Sequence, residues 1–148
     1  MKATDDNMGK KPLWEKTASH LMQKDVFSLK ETASCHDAAE MMVKGNFGSV
    51  PIVDREGRLV GIMTEYDLLD LLLDRRNLRE ISVLECMTQP PISVSEEMTV
   101  DQILVLLQAR HLLRVPVIGR NGMLVGLLAR RDIVAAYLDS ASDQTPPL

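Results

Sequence analysis

The sequence of 148 residues predicts a mixed α/β fold in which two similar halves each follow the order α-β-α-β-β-α. The main observation is an internal repeat, because a shift of 65 positions aligns residues 22–73 with 87–138 without a gap. The segment VPIVDREGRLVGIMTEYD at 50–67 thereby matches VPVIGRNGMLVGLLARRD at 115–132. Two copies are too few for a solenoid, so we expect the halves to pack about a pseudo-two-fold axis and to cover each other's apolar faces.

Composition narrows the classes of protein to which the chain can belong. Apolar residues make up 45% of the sequence, but only one Trp, two Tyr and two Phe are present, so the core must be mainly aliphatic. The net charge of −4 argues against nucleic acid or an anionic membrane as a partner. No apolar stretch approaches the roughly 18 residues that span a bilayer. With a polar N-terminus and two cysteines, this favours a soluble, cytoplasmic protein.

The repeat and the flanking composition also predict boundaries. The first repeat is expected at 12–74 and the second at 82–139, joined by a charged linker at 75–81. The polar ends, 1–11 and 140–148, are expected to be disordered.

Each half is predicted to open with a short helix and a short strand. The helices, Thr17–Met22 and Ser82–Met87, begin at hydroxyl residues that favour the N-cap position. The strands follow at Val26–Leu29 and Ile92–Val94. A longer helix then starts in each half at a sequence typical of a capping box. The two boxes are Ser34-x-x-Asp37 and Thr99-x-x-Gln102.

The next part of each half is a β-hairpin. Gly45-Asn46 is a typical left-handed end for the preceding helix. The first hairpin is expected to pair Val50–Val53 with Leu59–Met63, and Gly57 and its equivalent Gly122 supply the positive φ that such turns need. The β-α-β connection before the hairpin predicts a parallel strand pair with a right-handed crossover.

The last helix is expected at about Glu65–Leu73 in the first half and Arg130–Leu138 in the second, and the first of these is unusually apolar. In the first copy, DLLDLLLDRR places leucines almost all round the helix, and DQILVLLQAR in the preceding helix of the second half shows a similar excess. A helix that buries only one face leaves many of these apolar side chains exposed to solvent. Two explanations fit: a second chain covers the outer face, or the core within the chain is unusually thick.

These features together resemble the CBS domain, named after cystathionine β-synthase, in its tandem form, the Bateman module. The resemblance covers about residues 13–139 and is carried by VPIVD with VPVIG, by GRLVGIMTEYDLL with GMLVGLLARRDIV, and by MTQPPISVSEEMTV. It implies that an adenine nucleotide or adenosyl compound, such as AMP, ADP, ATP or S-adenosylmethionine, binds between the halves, with no obligatory cofactor. It also implies a homodimer that regulates a separate, unidentified protein.

The motif Thr64-Glu65-Tyr66-Asp67 has two compatible explanations. As [Ser/Thr]-x-x-[Asp/Glu] ahead of an apolar run, it is typical of a capping box that satisfies the free N–H groups at a helix start. The resemblance implies instead that Asp67 accepts hydrogen bonds from ribose hydroxyls and that Thr64 helps to position the sugar and phosphate. A helix start also offers N–H groups and a positive dipole to phosphate.

The second copy has Ala129 where the first has Thr64, while Asp132 matches Asp67. Ala129 has no side-chain acceptor, so we expect the second half to lose the helix cap and the sugar-facing hydroxyl. The sequence therefore predicts a fuller site at Thr64 and Asp67 and a weaker or altered site at Asp132.

Three arginines are candidate phosphate ligands. Arg114 directly precedes Val115-Pro116, where the resemblance implies a basic residue that reaches phosphate, and Arg130 and Arg131 stand beside Asp132. The alternative is that all three are surface arginines, whose ion pairs contribute little. Adenine is expected to lie between apolar side chains near the short strands. These side chains are Phe27, Val50 and Pro51, or Ile92, Val115 and Pro116.

No arrangement in the sequence indicates catalysis or a metal site. The three histidines lack metal-ligand spacing, and no catalytic triad, P-loop or dinucleotide-binding glycine pattern is present. Cys35 follows Ser34 at a helix start, where a thiol pKa can fall, so a redox switch and a small buried cysteine both fit. We expect a regulatory ligand sensor rather than an enzyme. The alternative is a ligand-free module for dimerisation and protein interaction.

Overall fold

A computed structural model of the chain describes residues 11–140, which contain six α-helices and six β-strands. The helices are α1 (Ala18–Leu21), α2 (Cys35–Gly45), α3 (Glu65–Leu73), α4 (Val83–Cys86), α5 (Val100–Arg110) and α6 (Arg130–Ser140). The strands are β1 (Leu29–Lys30), β2 (Ser49–Val53), β3 (Leu59–Thr64), β4 (Val94–Ser95), β5 (Arg114–Ile118) and β6 (Leu124–Ala129). The tails predicted at 1–11 and 140–148 lie outside the described residues, except for Lys11 and Ser140.

The strands form two three-stranded sheets of the same order, β1-β2-β3 and β4-β5-β6. β1 is parallel to β2 with Leu29 opposite Ile52, and β4 is parallel to β5 with Val94 opposite Val117. Each residue of the second pair stands 65 positions after its counterpart, so the register repeats with the sequence. β2 and β3 form the antiparallel hairpin. The predicted α/β class and both parallel pairs are confirmed.

The helix ends and turns follow the local side chains. α2 and α5 both start with the reciprocal capping box that the sequence predicts. Asn46 ends α2 and His111 ends α5 in the left-handed conformation, with φ of 56° and 53°. Gly57 and Gly122 have φ of 96° and 77°, as the hairpin turns require. No helix among the described residues is both apolar enough and long enough to cross a membrane.

The two short strands begin later than the sequence predicts. β1 starts at Leu29 rather than Val26, and β4 starts at Val94 rather than Ile92. The reason is that pairing with β2 and β5 is limited to two residues in each case.

The chain divides into two compact units whose composition differs from that of the two sequence repeats. Within the described residues, the sheet-1 unit contains 27–92 and 120–124, and the sheet-2 unit contains 11–26, 93–119 and 125–140. The short helix α1 of the first repeat therefore belongs to the sheet-2 unit, and α4 of the second repeat belongs to the sheet-1 unit. Each short helix thus precedes one sheet in sequence but belongs to the unit of the other sheet.

A glycine in the last strand of each sheet lets the segment that follows the short helix of the same unit pack closely against that strand. A Cβ added at Gly61 in β3 would overlap the side chain of Met87, which follows α4. A Cβ added at Gly126 in β6 would likewise overlap the side chain of Met22, which follows α1. The repeated Gly and Met positions therefore mark the same contact in both units.

Both cores are aliphatic, as the composition predicts. In the sheet-1 unit, Ile52 and Met63 of β2 and β3 are fully buried. In the sheet-2 unit, Ile103 of α5 and Leu128 of β6 are fully buried. Truncation of such a side chain to Ala typically lowers the free energy of unfolding by about 2–5 kcal/mol. Packing of these side chains therefore stabilises the sheets that carry the candidate sites.

Candidate functional sites at two helix starts

The first candidate site lies at the start of α3 in the sheet-1 unit. The backbone N–H of Thr64 donates to Oδ2 of Asp67 at 2.8 Å, and the Thr64 hydroxyl donates to the same oxygen at 2.9 Å. In return, the backbone N–H of Asp67 donates to Thr64 Oγ1 at 3.2 Å. Both side chains are half-buried. The predicted capping box is therefore present, and it holds the carboxylate in a fixed orientation.

A second hydroxyl, from Thr88, lies beside this carboxylate. Thr88 and Ile62 of β3 exchange two backbone hydrogen bonds, at 2.8 and 3.0 Å. Thr88 Oγ1 then lies 3.3 Å from both Oδ1 and Oδ2 of Asp67. Thr64, Asp67 and Thr88 are called the Asp67 site below. Sequence reasoning missed Thr88.

The equivalent place in the sheet-2 unit, at the start of α6, has different chemistry. The backbone N–H of Ala129 donates to Oδ2 of Asp132 at 2.7 Å. Gln23, which stands 65 residues before Thr88, exchanges backbone hydrogen bonds with Leu127 of β6 at 2.8 and 2.9 Å. Its side-chain Nε2 donates to Asp132 Oδ1 at 2.9 Å. Ala129, Asp132 and Gln23 are called the Asp132 site.

The two sites differ in how much of the carboxylate is free to bind a ligand. At Asp67, three donors converge on Oδ2 and, within residues 11–140, Oδ1 accepts only the long shared bond from Thr88. At Asp132, Oδ1 already accepts the Gln23 amide. Each Oδ1 thus accepts one bond, but the bond at Asp132 is shorter, 2.9 Å against 3.3 Å, so a sugar hydroxyl meets a stronger competitor at Asp132 than at Asp67.

The substitution of Thr64 by Ala129 removes half of the cap. The hydroxyl is lost, as the sequence predicts, but the Asp132 carboxylate still accepts from the Ala129 N–H. The asymmetry therefore has two sources: the missing hydroxyl, and Gln23, which sequence reasoning also missed. The alignment of the two repeats could have identified both Gln23 and Thr88, since they directly follow the matched pair Met22 and Met87.

The candidate phosphate ligands lie in the sheet-2 unit. Arg114 is the first residue of β5 and is half-buried. Arg130 and Arg131 open α6 and are exposed. The Asp67 site belongs to the sheet-1 unit, so joint binding of one nucleotide by Arg114 and Asp67 stays a prediction.

The predicted adenine neighbours differ in burial. Phe27 is half-buried and stacks on Phe47, with ring centroids 3.8 Å apart and planes inclined by 11°. Ile92 is also half-buried. The other four side chains are buried: Val50 and Pro51 in β2, and Val115 and Pro116 in β5. Phe27 and Ile92 therefore keep exposed apolar surface, whereas the strand residues contribute to the cores.

The Cys35 thiol is fully buried and donates to the Ser82 carbonyl oxygen at 3.7 Å. Burial, followed by the neighbouring Cys86, raises the pKa of Cys35 to about 11. Of the two explanations that the sequence left open, the structure supports the small buried cysteine rather than a thiol with a lowered pKa.

One group of side chains has the composition of a metal site. The ligand atoms of His36, Asp37 and Glu40 in α2 lie within 4.8 Å of one another. Two local roles already account for them: Asp37 accepts from the backbone N–H of Ser34 at 3.0 Å, and His36 lies 3.3 Å from Glu40 one helical turn away. We interpret the group as helix capping and i,i+4 pairing.

Comparison with known proteins extends these observations. The CBS domain model matches residues 18–74 and 78–139. Protein YlbB of Bacillus subtilis is 34% identical over 128 residues, which cover 84% of this chain and 80% of that protein. Some curated relatives are much longer, and the chain spans only about a quarter of their length.

Two solved structures are similar over most of their length. CBSX2 of Arabidopsis thaliana, in complex with AMP, has a TM-score of 0.74 at 28% identity, covering 84% of this chain and 97% of that one. The CBS domain pair of MJ0100, in complex with 5′-methylthioadenosine and S-adenosyl-L-methionine, has a TM-score of 0.70 at 26% identity with the same coverage. The repeats, the sheets and the family match agree, and the chain belongs to the CBS domain family as a tandem pair.

Proposed function

We propose that this CBS pair is a regulatory module that binds an adenosine-containing compound through the Asp67 site. The observation that carries the proposal is the Asp67 carboxylate, which is fixed through Oδ2 while Oδ1 remains able to accept a ribose hydroxyl. Similar CBS pairs were solved with AMP, 5′-methylthioadenosine and S-adenosyl-L-methionine. All three ligands share the ribose diol that a carboxylate acceptor recognises.

The finer assignments belong to the same proposal. Arg114, Arg130 and Arg131 bind phosphate when the ligand is AMP, ADP or ATP, because guanidinium groups match phosphate geometry. Phe27 and Ile92 provide exposed apolar surface for adenine. The Asp132 site is a second, weaker position, because Gln23 competes for its carboxylate.

Regulation is proposed to operate by population shift. A ligand that binds one conformation more tightly increases its population, and a partner protein then recognises that conformation. We also propose that the chain forms a homodimer through exposed leucines such as Leu69 and Leu73 in α3. A cytoplasmic location and the identity of the regulated protein stay expectations from the sequence.

The test is a thermal-unfolding series with AMP, ADP, ATP, 5′-methylthioadenosine and S-adenosylmethionine. A ligand at 100 times its Kd adds about 2.7 kcal/mol to the free energy of unfolding. Asp67→Asn keeps an acceptor for the Thr64 N–H but removes the carboxylate charge, so it is expected to weaken binding at least about tenfold, since bonds to charged groups exceed neutral ones.

The matched control is Asp37→Asn, which makes the same change in the capping box of α2. This variant is expected to bind like the wild type. If both Asn variants lose the same amount of ligand stabilisation, the effect is structural and the Asp67 assignment is wrong.

A second candidate function is a ligand-free interaction module. The observation in its favour is the Asp132 site, where Ala129 lacks a hydroxyl and Gln23 occupies Oδ1. This candidate predicts that none of the five compounds raises the melting temperature, and that Asp67→Asn changes stability alone.

A further inference from the structure

We infer that the two candidate sites select different adenosine-containing compounds: the Asp67 site takes those without phosphate, and the Asp132 site takes those with phosphate. The inference rests on the proposed function and adds the ligand class of each site. AMP, 5′-methylthioadenosine and S-adenosylmethionine share adenosine but differ at the 5′ position, which carries a phosphate anion, a neutral thioether or a sulfonium cation. The charges beside each carboxylate therefore decide which compound binds there.

The two helix starts have the same backbone arrangement. Glu65 is the first residue of α3, and Arg130, 65 positions later, is the first residue of α6. The N–H of Glu65 donates to the Gly48 carbonyl oxygen at 3.0 Å, and the N–H of Arg130 donates to the equivalent Leu113 carbonyl oxygen at 2.9 Å. A difference in ligand preference between the sites must therefore come from their side chains.

Three matched positions beside each carboxylate carry different chemistry. They are the first residue of the middle strand, β2 or β5, and the first two residues of the last helix of the repeat, α3 or α6. In the sheet-1 unit these positions carry a hydroxyl, a carboxylate and a phenol, whereas in the sheet-2 unit each carries a guanidinium. The matched pairs are Ser49 and Arg114, Glu65 and Arg130, and Tyr66 and Arg131.

These side chains favour opposite charges on the ligand. Glu65, Arg130 and Arg131 are exposed, and within residues 11–140 none of the three forms an ion pair. A phosphate at the Asp67 site meets the Glu65 carboxylate as well as that of Asp67, and like charges disfavour binding. The same carboxylates attract a sulfonium cation and do not repel a neutral thioether. At the Asp132 site, guanidinium groups match phosphate in charge and geometry.

The exchange of Thr64 for Ala129 adds a backbone donor for phosphate. In α3, the Asp67 N–H already donates to Thr64 Oγ1 at 3.2 Å. Ala129 has no hydroxyl, and within residues 11–140 the equivalent Asp132 N–H has no acceptor. A phosphate beside the arginines can accept from this N–H. The substitution that removes a sugar-facing hydroxyl therefore leaves the second site better suited to an anion.

The first experiment assigns each compound to a site by isothermal titration calorimetry on the full chain. AMP and 5′-methylthioadenosine are the matched probes, since they share adenosine and differ in the 5′ group. Asp67→Asn is expected to weaken 5′-methylthioadenosine at least about tenfold and to leave AMP unchanged. The double variant R130E with R131Y copies the first repeat and is expected to weaken AMP at least about tenfold and to leave 5′-methylthioadenosine unchanged. Thermal unfolding without ligand confirms that each variant folds.

The second experiment makes the opposite exchange. E65R with Y66R copies the second repeat, so it is expected to add an equivalent of bound AMP at the Asp67 site and to weaken S-adenosylmethionine. Control reversals at exposed positions outside the helices, Glu97→Arg and Arg120→Glu, are expected to change neither ligand. Raising the salt concentration is expected to weaken AMP and to leave 5′-methylthioadenosine unchanged, because salt screens charge.

The outcomes separate this inference from the proposed function. If Asp67→Asn weakens both probes and the arginine exchange changes neither, both ligand classes use the Asp67 site, so the inference is overturned and the proposed function stands. If the arginine exchange weakens both probes in a folded protein, the ligand classes share one site and the inference is again wrong. A wild type that binds only one class removes the assignment of the other site. A wild type that binds no adenosyl compound removes the proposed function and the inference together.

Discussion

Thr88 Oγ1 lies 3.3 Å from both carboxylate oxygens of Asp67, although the two residues stand 21 positions apart and come from different repeats. The equivalent contact in the sheet-2 unit joins Gln23 and Asp132, at 2.9 Å. A threonine hydroxyl can rotate and can both donate and accept, whereas the amide N–H₂ group of Gln only donates. This exchange of residue type, more than the helix start itself, separates the chemistry of the two sites.

Gln23→Ala is therefore expected to strengthen ligand binding at the Asp132 site. The change frees Oδ1 of Asp132, and a competing hydrogen bond is worth about 0.5–1.5 kcal/mol net. Isothermal titration calorimetry with the best ligand of the thermal series measures the result as a lower Kd or a second equivalent of ligand. The reciprocal variant, Thr88→Gln, places an amide beside Asp67 and is expected to weaken the first site. Unchanged binding in both variants would exclude these contacts from ligand selection.

An exchange at the cap position tests the other source of asymmetry. Thr64→Ala copies the second repeat and removes the acceptor for the Asp67 N–H, so it is expected to lower the free energy of unfolding by about 1 kcal/mol. Ala129→Thr restores the hydroxyl beside Asp132 and is expected to raise stability by up to about the same amount. Urea unfolding at pH 7 measures both. If both variants change the free energy of unfolding in the same direction, the cap does not control stability here.

The sequence predicts the local features of this fold well, because they depend on neighbouring residues. The capping boxes, the left-handed end at Asn46 and the turn glycines each need side chains within about four positions. The repeat then predicts two sheets of equal order. α3 begins at Glu65 and ends at Leu73, as the sequence predicts.

Contacts between distant segments were outside the reach of sequence reasoning. Gln23 and Asp132 stand 109 positions apart, and no local pattern links them. Their contact arises because α1 joins the sheet of the second repeat, where Gly126 leaves room for Met22. The alignment shows that the two glycines, Gly61 and Gly126, and the two methionines, Met22 and Met87, are each 65 positions apart. It does not show which methionine contacts which glycine.

The two cysteines are expected to react very differently. Cys35 is fully buried, and burial followed by Cys86 raises its pKa from 9.0 to about 11, whereas Cys86 is half-buried. Because the thiolate is the reactive form, Ellman's reagent at pH 8 is expected to modify Cys86 first and Cys35 only after unfolding. Cys86→Ala should remove the fast phase. Equal rates for the two thiols in the folded protein would contradict the buried position of Cys35.

The same pKa shift predicts how stability responds to high pH. The folded state keeps the Cys35 proton up to a pKa of about 11, while the unfolded chain releases it above 9.0. The stability associated with this thiol is therefore fully present below pH 9 and is lost as the pH rises towards 11. Urea unfolding at pH 8 and pH 10, compared between wild type and Cys35→Ala, isolates this contribution. An identical pH dependence in both proteins would contradict it.

His20 is expected to make the sheet-2 unit sensitive to mild acid. Its Nδ1 accepts from the backbone N–H of Thr17 at 3.0 Å, a role that is open to the neutral ring alone. Burial, and then the charges of Lys11 and Lys16, lower the pKa of His20 below its ordinary 6.5. The unfolded chain thus binds this proton more readily, so the stabilising contribution is present above pH 6.5 and is lost as the pH falls through the folded-state pKa.

The variant that tests this effect is suggested by the second repeat. Glu85 stands 65 positions after His20 and accepts from the Ser82 N–H at 2.9 Å, so an uncharged acceptor at position 20 should keep the cap at every pH. His20→Gln is therefore expected to flatten the part of the pH dependence between 6.5 and 5.5. Urea unfolding at both pH values, with His36→Gln as the control histidine change, measures the difference. If His20→Gln loses as much stability on acidification as the wild type, the cap at Thr17 does not respond to this proton.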